Sequence, residues 1–439
     1  MSSYAIAGLG FVAMLVLIAM RMPVGLAMLV TGSAGLVYFS GWNSFFYYMN
    51  STPFYLFSNY TLSVIPLFIL MGAIAERSGL STRLFTAAAG LIGHWRGGLG
   101  MALIGACTAF GAICGSSVAT TATFARATLP EFKRYRYAPG FATGTIAVGG
   151  TLGILIPPSI ILVVYAITTE QNIAKLFKAA LIPGLLAAVF YCIVIALIAR
   201  LKPEAAPAHA KIDGRERLKA IVLVWPVILV AFVVVGGIYG GVFTPTEGAG
   251  VGAISMLVIA VAQGTLGWKE FKDSLLQTAE TSGMIFIIIL GSQVFEAFLG
   301  RSQLPEKAAE FVVSFGLPPL GVIVLLMAFY ILLGAVMDEL AMILLTLPVF
   351  FPIVSALDFG LLPDETAIWF GILVLIVVGI GLTCPPIGLN VFVVSAIARD
   401  VPISSIYRGV LPFIAADIVR LSLVIAFPAL ALWLVRVLD

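Results

Sequence analysis

The chain has 439 residues, of which 61% are hydrophobic and only 10% are charged, and its mean hydropathy is +1.12. A soluble globular protein carries about 25% charged residues, so composition excludes that class and makes the bilayer the solvent of this chain. The net charge of +3 gives no indication of nucleic-acid binding, and four cysteines without metal-ligand spacing exclude a disulfide scaffold or a zinc site.

The predicted membrane spans follow one order in both halves of the chain. A transmembrane helix needs roughly 20 apolar residues, and we count ten full-length spans and two shorter, interrupted pairs. Residues 1–20 carry no Lys or Arg at their start, so they are a first span rather than a cleaved signal. Three spans open each half, at about 4–20, 23–41 and 58–76, then at 219–242, 247–264 and 281–299.

Lys and Arg concentrate in a few of the connecting segments. By the positive-inside rule these segments are cytoplasmic, which predicts that both termini lie outside, on the opposite side of the membrane. The basic segments are 77–96, 133–136, 200–219, 269–272 and 399–408.

Each half then has a predicted helical hairpin that is too short to cross the membrane twice. The first covers about 98–130, with its tip at Cys114-Gly115-Ser116-Ser117. The second covers about 319–352, with its tip between Gly334 and Glu339. Glycine permits the turn, and serine or aspartate can cap the returning helix.

A proline pair follows each hairpin inside an apolar segment. Pro157-Pro158 interrupts a helix predicted at about 140–167, and Pro385-Pro386 interrupts one at about 367–397. Proline removes a backbone donor and clashes with the preceding turn, and lipid cannot satisfy the carbonyls that this frees. Paired interruptions in corresponding halves are typical of the substrate and ion site of a secondary transporter.

These matches predict two inverted repeats, 1–210 and 211–439, because the two proline pairs lie 228 residues apart and five crossings per half reverse the orientation. Closing spans are expected at about 176–200 and 405–436. The predicted fold class is therefore an all-α polytopic membrane protein with two re-entrant hairpins and two broken helices. We expect a scaffold part at about 1–96 and 219–315, and a transport part at about 98–200 and 319–436.

The tips and breaks offer groups for both an anion and a cation. Helix N-termini suit a carboxylate, and we expect helices to begin at Ser116, Glu339, Pro158 and Pro386. Freed carbonyls and hydroxyls are the hard oxygen ligands that a small cation needs. The residues predicted to bind substrate are Ser116, Ser117, Pro158, Ser159 and Asn390.

Other polar residues have structural alternatives. Asp338 is equally well interpreted as a ligand or as a helix cap. A carboxylate at membrane depth is a functional candidate, but aspartate also caps helices. A structural role is slightly favoured for Asn390. Hydroxyls of Thr120, Thr121 and Thr123 are expected to bond to the preceding turn. Ion pairs are expected for Asp417 with Arg420 and, at the membrane interface, for Glu76 near Arg77 and Glu296 near Arg301.

Three motifs, GSSVAT at 115–120, GTLGILIPPS at 150–159 and PPIGLN at 385–390, resemble the large membrane (M) subunit of tripartite ATP-independent periplasmic (TRAP) transporters. The resemblance implies an ion-transporter-like elevator fold, sodium-coupled uptake of organic acids across the bacterial inner membrane, a small four-helix membrane subunit and a periplasmic substrate-binding protein. By matching motif, sodium site 1 would use Gly115, Ser116, Ser117, Gly150 and Thr151, and sodium site 2 would use Gly334, Asp338, Gly381 and Thr383. Glu339 departs from the small or proline residue expected after that aspartate.

Other functions stay open on the sequence. A stand-alone sodium and organic-anion symporter would need no binding protein, and a passive channel suits the matched hairpins less well than alternating access. An intramembrane enzyme is disfavoured, because the only histidines are His94 and His209 and no metalloprotease or nucleophile-elbow motif occurs.

Overall fold

The computed structural model describes residues 2–208, 222, 224–314 and 316–438, and the regular elements in these ranges are all helical. The first-half helices are α1 (Ser3–Ala19), α2 (Val24–Phe57), α3 (Val64–Arg77), α4 (Leu80–Ile92), α5 (Gly98–Cys114), α6 (Ser117–Arg134), α7 (Pro139–Leu155), α8 (Ile160–Thr168) and α9 (Ile173–Leu201). The second-half helices are α10 (Trp225–Tyr239), α11 (Pro245–Ala262), α12 (Trp268–Ser302), α13 (Leu304–Ser314), α14 (Pro319–Gly334), α15 (Glu339–Ser355), α16 (Pro363–Gly381), α17 (Leu389–Ile397), α18 (Ile403–Ala426) and α19 (Ala429–Leu438).

Fewer helices than expected are full-length spans. Within the described ranges, seven are long and apolar enough to cross a membrane, or eight when α7 and α8, bent by 44°, count as one. The ten spans counted from the sequence include shorter helices such as α1, whose 17 residues are at the lower end of the length that crosses a bilayer. The span expected at 219–242 lies partly outside the described residues.

Several helix ends differ from the prediction. The helix expected at 23–41 is interrupted at Gly41 (φ 77°), as predicted, but a second segment continues α2 to Phe57. The helix expected at 281–299 begins earlier, at Trp268. The closing span expected at 405–436 is two helices, because α18 ends at Ala426 and Pro428, which has no backbone N–H, begins the turn into α19.

Both hairpin tips lie where the sequence predicts them. In the first, α5 ends at Cys114, Gly115 adopts a left-handed conformation (φ 64°), and Ser116 caps α6. In the second, α14 ends at Gly334 and Asp338 caps α15. The first hairpin extends a few residues beyond the predicted end, to Arg134.

Both proline pairs interrupt their helices, and the helices resume later than predicted. α8 begins at Ile160 with Ser159 as its cap, rather than at Pro158. α17 begins at Leu389, rather than at Pro386, because Gly388 has a left-handed conformation (φ 55°) that ends the irregular segment. The first hairpin's returning helix likewise begins one residue after Ser116.

The helices that lead into the two breaks are the most deeply buried in the molecule. Every residue of α7 from Phe141 to Leu155 is buried, and so is every residue of α16 from Thr366 to Gly381. A helix that is apolar and covered all round belongs to the core. The first break, residues 156–159, is buried in the same way, whereas Pro385, Pro386 and Ile387 of the second break are exposed.

The first three spans pack against α11 and α12 through close backbone contacts. A Cβ at Gly25 would lie 2.9 Å from the carbonyl oxygen of Ile287, and one at Gly32 would lie 2.7 Å from the backbone nitrogen of Phe295. Small residues at such positions let membrane helices approach closely. These contacts join α2 and α12 along their lengths.

Candidate functional site

A cavity of about 440 Å³ lies where both hairpin tips and both resumed helices meet. The first tip contributes Cys114, Gly115 and Ser116, and the second contributes Asp338, Glu339 and Leu340. Ile160 of α8 and Leu389 of α17 come from just beyond the two breaks. The remaining wall is formed by α3 and α12, which belong to the predicted scaffold. Four chain segments that are distant in sequence thus share one cavity.

Each tip is hydrogen-bonded to the break of its own half. The backbone N–H of Ile160 donates to the carbonyl of Gly115 at 3.5 Å, and that of Ile387 donates to the carbonyl of Ala335 at 3.1 Å. Tyr407 adds a second support, because its hydroxyl donates to the carbonyls of Pro386 and Ile387. These bonds satisfy backbone groups that the prolines would otherwise leave unpaired.

Asn390 links the second break to the first half. Its Nδ2 donates to Ser117 Oγ at 2.8 Å and to the carbonyl of Ala147 at 3.0 Å. A carbonyl oxygen can only accept, so this contact fixes the orientation of the amide. Asn390 is fully buried, its Oδ1 has no partner in the described part of the chain, and it does not line the cavity. These two contacts are consistent with a structural role for Asn390, and its role in binding substrate stays a prediction.

Replacing Asn390 by alanine should therefore lower stability. The change removes two buried hydrogen bonds and leaves the acceptors unpaired, which costs about 1–3 kcal/mol for a buried polar group. Thermal unfolding of the purified protein in detergent should shift to lower temperature, with little change in substrate preference. Altered substrate preference at unchanged thermal stability would contradict this interpretation.

The predicted first site divides into cavity-lining and buried residues. Gly115 and Ser116 line the cavity, and Ser116 Oγ accepts from the backbone N–H of Ala119. The other residues predicted there lie behind the cavity wall and are buried; they are Ser117, Gly150, Thr151, Pro158 and Ser159. Their roles in binding substrate or sodium stay predictions.

The predicted second site brings two glycines into direct contact. A Cβ at Gly381 would lie 2.7 Å from Gly334 Cα, so α14 and α16 touch through their backbones. Asp338 Oδ2 accepts from the N–H groups of Leu340 and Ala341, which makes it a helix cap that also faces the cavity. Thr383 donates to the carbonyl of Ile380 at 3.0 Å.

The cavity wall contains carboxylates but, among its described residues, no Lys or Arg. Glu76 is paired with Arg126 of α6 at 3.1 Å, so the pairing predicted with Arg77 is wrong; Arg77 instead donates to Gln277 Oε1. Glu339 Oε2 is buried without a hydrogen-bond partner in the described part of the chain. Asp338 and Glu339 therefore place two carboxyl groups at the cavity without a lining cation to pair with them.

The threonines of α6 follow the prediction only in part. Thr120 Oγ1 donates to the carbonyl of Ser116 at 2.7 Å, as expected. The hydroxyls of Thr121 and Thr123 have no hydrogen-bond partner within the described residues, so the expected bonds to the preceding turn are wrong. Thr121 Oγ1 instead lies against Gly150 of α7, in the space that a side chain there would fill.

Three polar residues that line the cavity were not predicted from the sequence. Glu76, Gln277 and Thr281 line the cavity from α3 and α12. The spacing of Gln277 and Thr281, one helical turn apart beside an apolar segment, was the available signal. Glu76 had been interpreted only as an interfacial residue.

A surface contact joins the end of α6 to the loop between α17 and α18. Lys133 Nζ lies 2.8 Å from Asp400 Oδ2. The side-chain hydrogen bond from Lys133 holds the pKa of the Asp400 carboxyl below its usual value. Both side chains are exposed, so the contact adds little to stability.

The two broken helices, the multiple apolar spans and the cavity shared by both tips define a multi-pass membrane protein of the secondary-transporter class. The fold is similar to that in "Crystal structure of the Alcanivorax borkumensis YdaH transporter reveals an unusual topology", with a TM-score of 0.59 and 14% identity over 90% of this chain and 89% of that one. This likeness confirms the predicted fold class.

Residues 11–430 match the family model "Tripartite ATP-independent periplasmic transporter, DctM component". The chain belongs to this family, which confirms the resemblance, and its relatives are transport permeases rather than enzymes. The C4-dicarboxylate TRAP transporter large permease protein DctM of Pseudomonas aeruginosa is 37% identical, over 85% of this chain and 86% of that protein. The sialic acid TRAP transporter large permease protein SiaM of Vibrio cholerae is 31% identical, over 86% of each.

Proposed function

We propose that this permease couples sodium entry to uptake of a small organic acid through the shared cavity. The substrate arrives from a periplasmic substrate-binding protein, and a small four-helix membrane subunit completes the complex in the inner membrane. The observation that carries the proposal is the convergence of both tips and both resumed helices, α8 and α17, on one cavity. Helix N-termini at Ser117 and Glu339 favour an anion there.

The charges of the cavity support coupling to a cation. An ionised Asp338 would repel an organic anion, because like charges at close range disfavour one another. Sodium bound near the tips would offset this repulsion and admit the acid. Sodium therefore binds first, and its sites are the two predicted sets, at Gly115, Ser116, Ser117, Gly150 and Thr151, and at Gly334, Asp338, Gly381 and Thr383.

Transport follows an elevator mechanism in this proposal. The hairpins and broken helices move as one body against the scaffold, and the scaffold contributes one wall of the cavity from α3 and α12. The pair formed by Glu76 and Arg126 crosses that boundary and must break during movement. Each net positive charge carried inward gains about 2.3 kcal/mol per 100 mV of membrane potential.

Proteoliposomes containing the large and small subunits test the proposal. With binding protein and substrate outside, uptake should require an inward sodium gradient and should be lost when potassium replaces sodium. Equal uptake in potassium contradicts sodium coupling. Uptake that persists without the binding protein would instead indicate a stand-alone symporter.

A further inference from the structure

An ion pair is buried in the closing span of the second half. Asp417 and Arg420 of α18 are 1% and 0% exposed, and Arg420 Nη2 lies 2.8 Å from Asp417 Oδ1. Their pairing was predicted from the sequence, and the structure confirms it. Arg420 Nη1 also donates to the carbonyl of Pro183 in α9, at 3.3 Å.

Stability alone gives little reason for this pair. The desolvation of two buried charges can exceed their attraction, and apolar residues of similar volume are often as stable or more stable. Ionisable residues inside a membrane segment are functional candidates by default. The other contacts of Asp417 indicate what that function is.

Asp417 is connected to the predicted sodium site through one tyrosine. Tyr191 of α9 donates its hydroxyl proton to Asp417 Oδ2 at 2.7 Å, and Phe413 packs against its ring. Tyr191 Oη also lies 3.2 Å from Thr151 Oγ1 in the broken helix α7. Thr151 is fully buried, and its hydroxyl is 2.7 Å from the carbonyl of Val148, to which it donates.

The direction of these hydrogen bonds follows from what each group can donate. An ionised carboxylate only accepts, so the single proton of Tyr191 is held by Asp417. Tyr191 then has no proton to give to Thr151. The threonine hydroxyl donates, either to Val148 or to Tyr191, and the lone pairs of its oxygen receive no proton from either neighbour. An oxygen in this state is suited to a cation.

We infer that Asp417 is a positioning residue for sodium binding: through Tyr191 it keeps the oxygen of Thr151 free of a hydrogen-bond donor. The inference rests on the proposed function, because it takes Thr151 as a sodium ligand. Without an acceptor at position 417, Tyr191 turns its proton to Thr151 Oγ1. That proton occupies a lone pair and places positive charge beside the cation.

The test replaces the ion pair without leaving a charge behind. We call the combination Asp417→Leu with Arg420→Met the apolar pair variant. The charges of Asp417 and Arg420 cancel, and both replacements are uncharged, so the net charge near the site does not change. The sodium concentration for half-maximal uptake should rise about fivefold to tenfold, the effect of one hydrogen bond of about 1 kcal/mol or slightly more. The maximal rate should change less.

A rescue variant separates this role from a merely structural one. Adding Tyr191→Phe to the apolar pair variant removes the misdirected proton, so the sodium half-saturation should return to within about twofold of the native value. Loss of packing would not be repaired by removing one more polar group. Tyr330→Phe is the matched control, because Tyr330 is fully buried and bonded to a threonine, Thr346, outside the cavity wall. It should leave sodium half-saturation unchanged.

The outcomes are distinct. If native uptake is equal in potassium, the proposed function itself is wrong. The positioning role is overturned if native uptake needs sodium but the apolar pair variant has the native sodium half-saturation. It is also overturned if adding Tyr191→Phe to that variant does not restore the native sodium half-saturation. Should the apolar pair variant not fold, Asp417→Met with Arg420→Leu exchanges the volumes and replaces it in both measurements.

Discussion

Gly381→Ala is expected to reduce sodium-coupled uptake about fivefold or more. Its Cβ would lie 2.7 Å from Gly334 Cα and from Gly334 C, and backbone atoms cannot rotate out of the way as a side chain can. The second tip would have to move away from α16. Overpacking of this kind costs about 1–3 kcal/mol, and 1.36 kcal/mol corresponds to about tenfold in rate. Initial uptake rates in proteoliposomes, over a range of sodium concentrations, measure the loss.

Gly379→Ala is the matched control on the same buried helix. The nearest atom to a Cβ at that position is Thr151 Cβ at 3.7 Å, an ordinary van der Waals contact. This variant should transport within about twofold of the native protein, because no neighbour has to move. Equal loss of uptake in the two variants would show that α16 tolerates no added methyl group, and would remove the special role of the contact with Gly334.

Arg420→Leu is expected to destabilise the protein strongly. The change leaves the Asp417 carboxylate buried without its cation, and breaking a buried ion pair from one side costs about 3–5 kcal/mol. The yield of monodisperse protein and the midpoint of thermal unfolding in detergent should both fall. Replacing Asp417 by leucine at the same time should recover most of the loss.

An exposed ion pair, Lys307 with Glu310, provides the comparison for Arg420. Lys307 pairs with Glu310 at 2.6 Å, and both side chains are about half exposed. Lys307→Leu should change stability by less than about 1 kcal/mol, because solvent screens such a pair. Arg420→Leu that unfolds at the same temperature as Lys307→Leu would contradict the importance of the buried pair.

The breaks and tips could be predicted from the sequence because their causes are local. The paired prolines at 157 and 385 coincide with the interruptions, whereas single prolines such as Pro183 and Pro412 lie inside helices. Gly115 allows the left-handed turn at the first tip. The residue at which α17 begins, Leu389, could not be predicted, since it depends on the conformation of Gly388. Local chemistry therefore located the interruptions, with errors of a few residues at their ends.

The contacts that assemble the site could not be predicted, because they join distant parts of the chain. Asn390 bonds to Ser117, 273 positions away, and Tyr191 bonds to Asp417, 226 positions away. One sequence shows that these polar residues lie in apolar helices, but not which helices become neighbours. The same limit explains the wrong partner for Glu76, which is Arg126 on another helix rather than adjacent Arg77.

In the proposed mechanism, one cavity between the two tips holds the acid, and the coupling ions bind beside it. Electron cryomicroscopy of the complex with its small subunit, in sodium with bound substrate, tests this most directly. We expect density for the acid between Ser116 and Asp338, with cation density beside each tip. Substrate density outside this cavity, or two tips that line separate pockets, would contradict it.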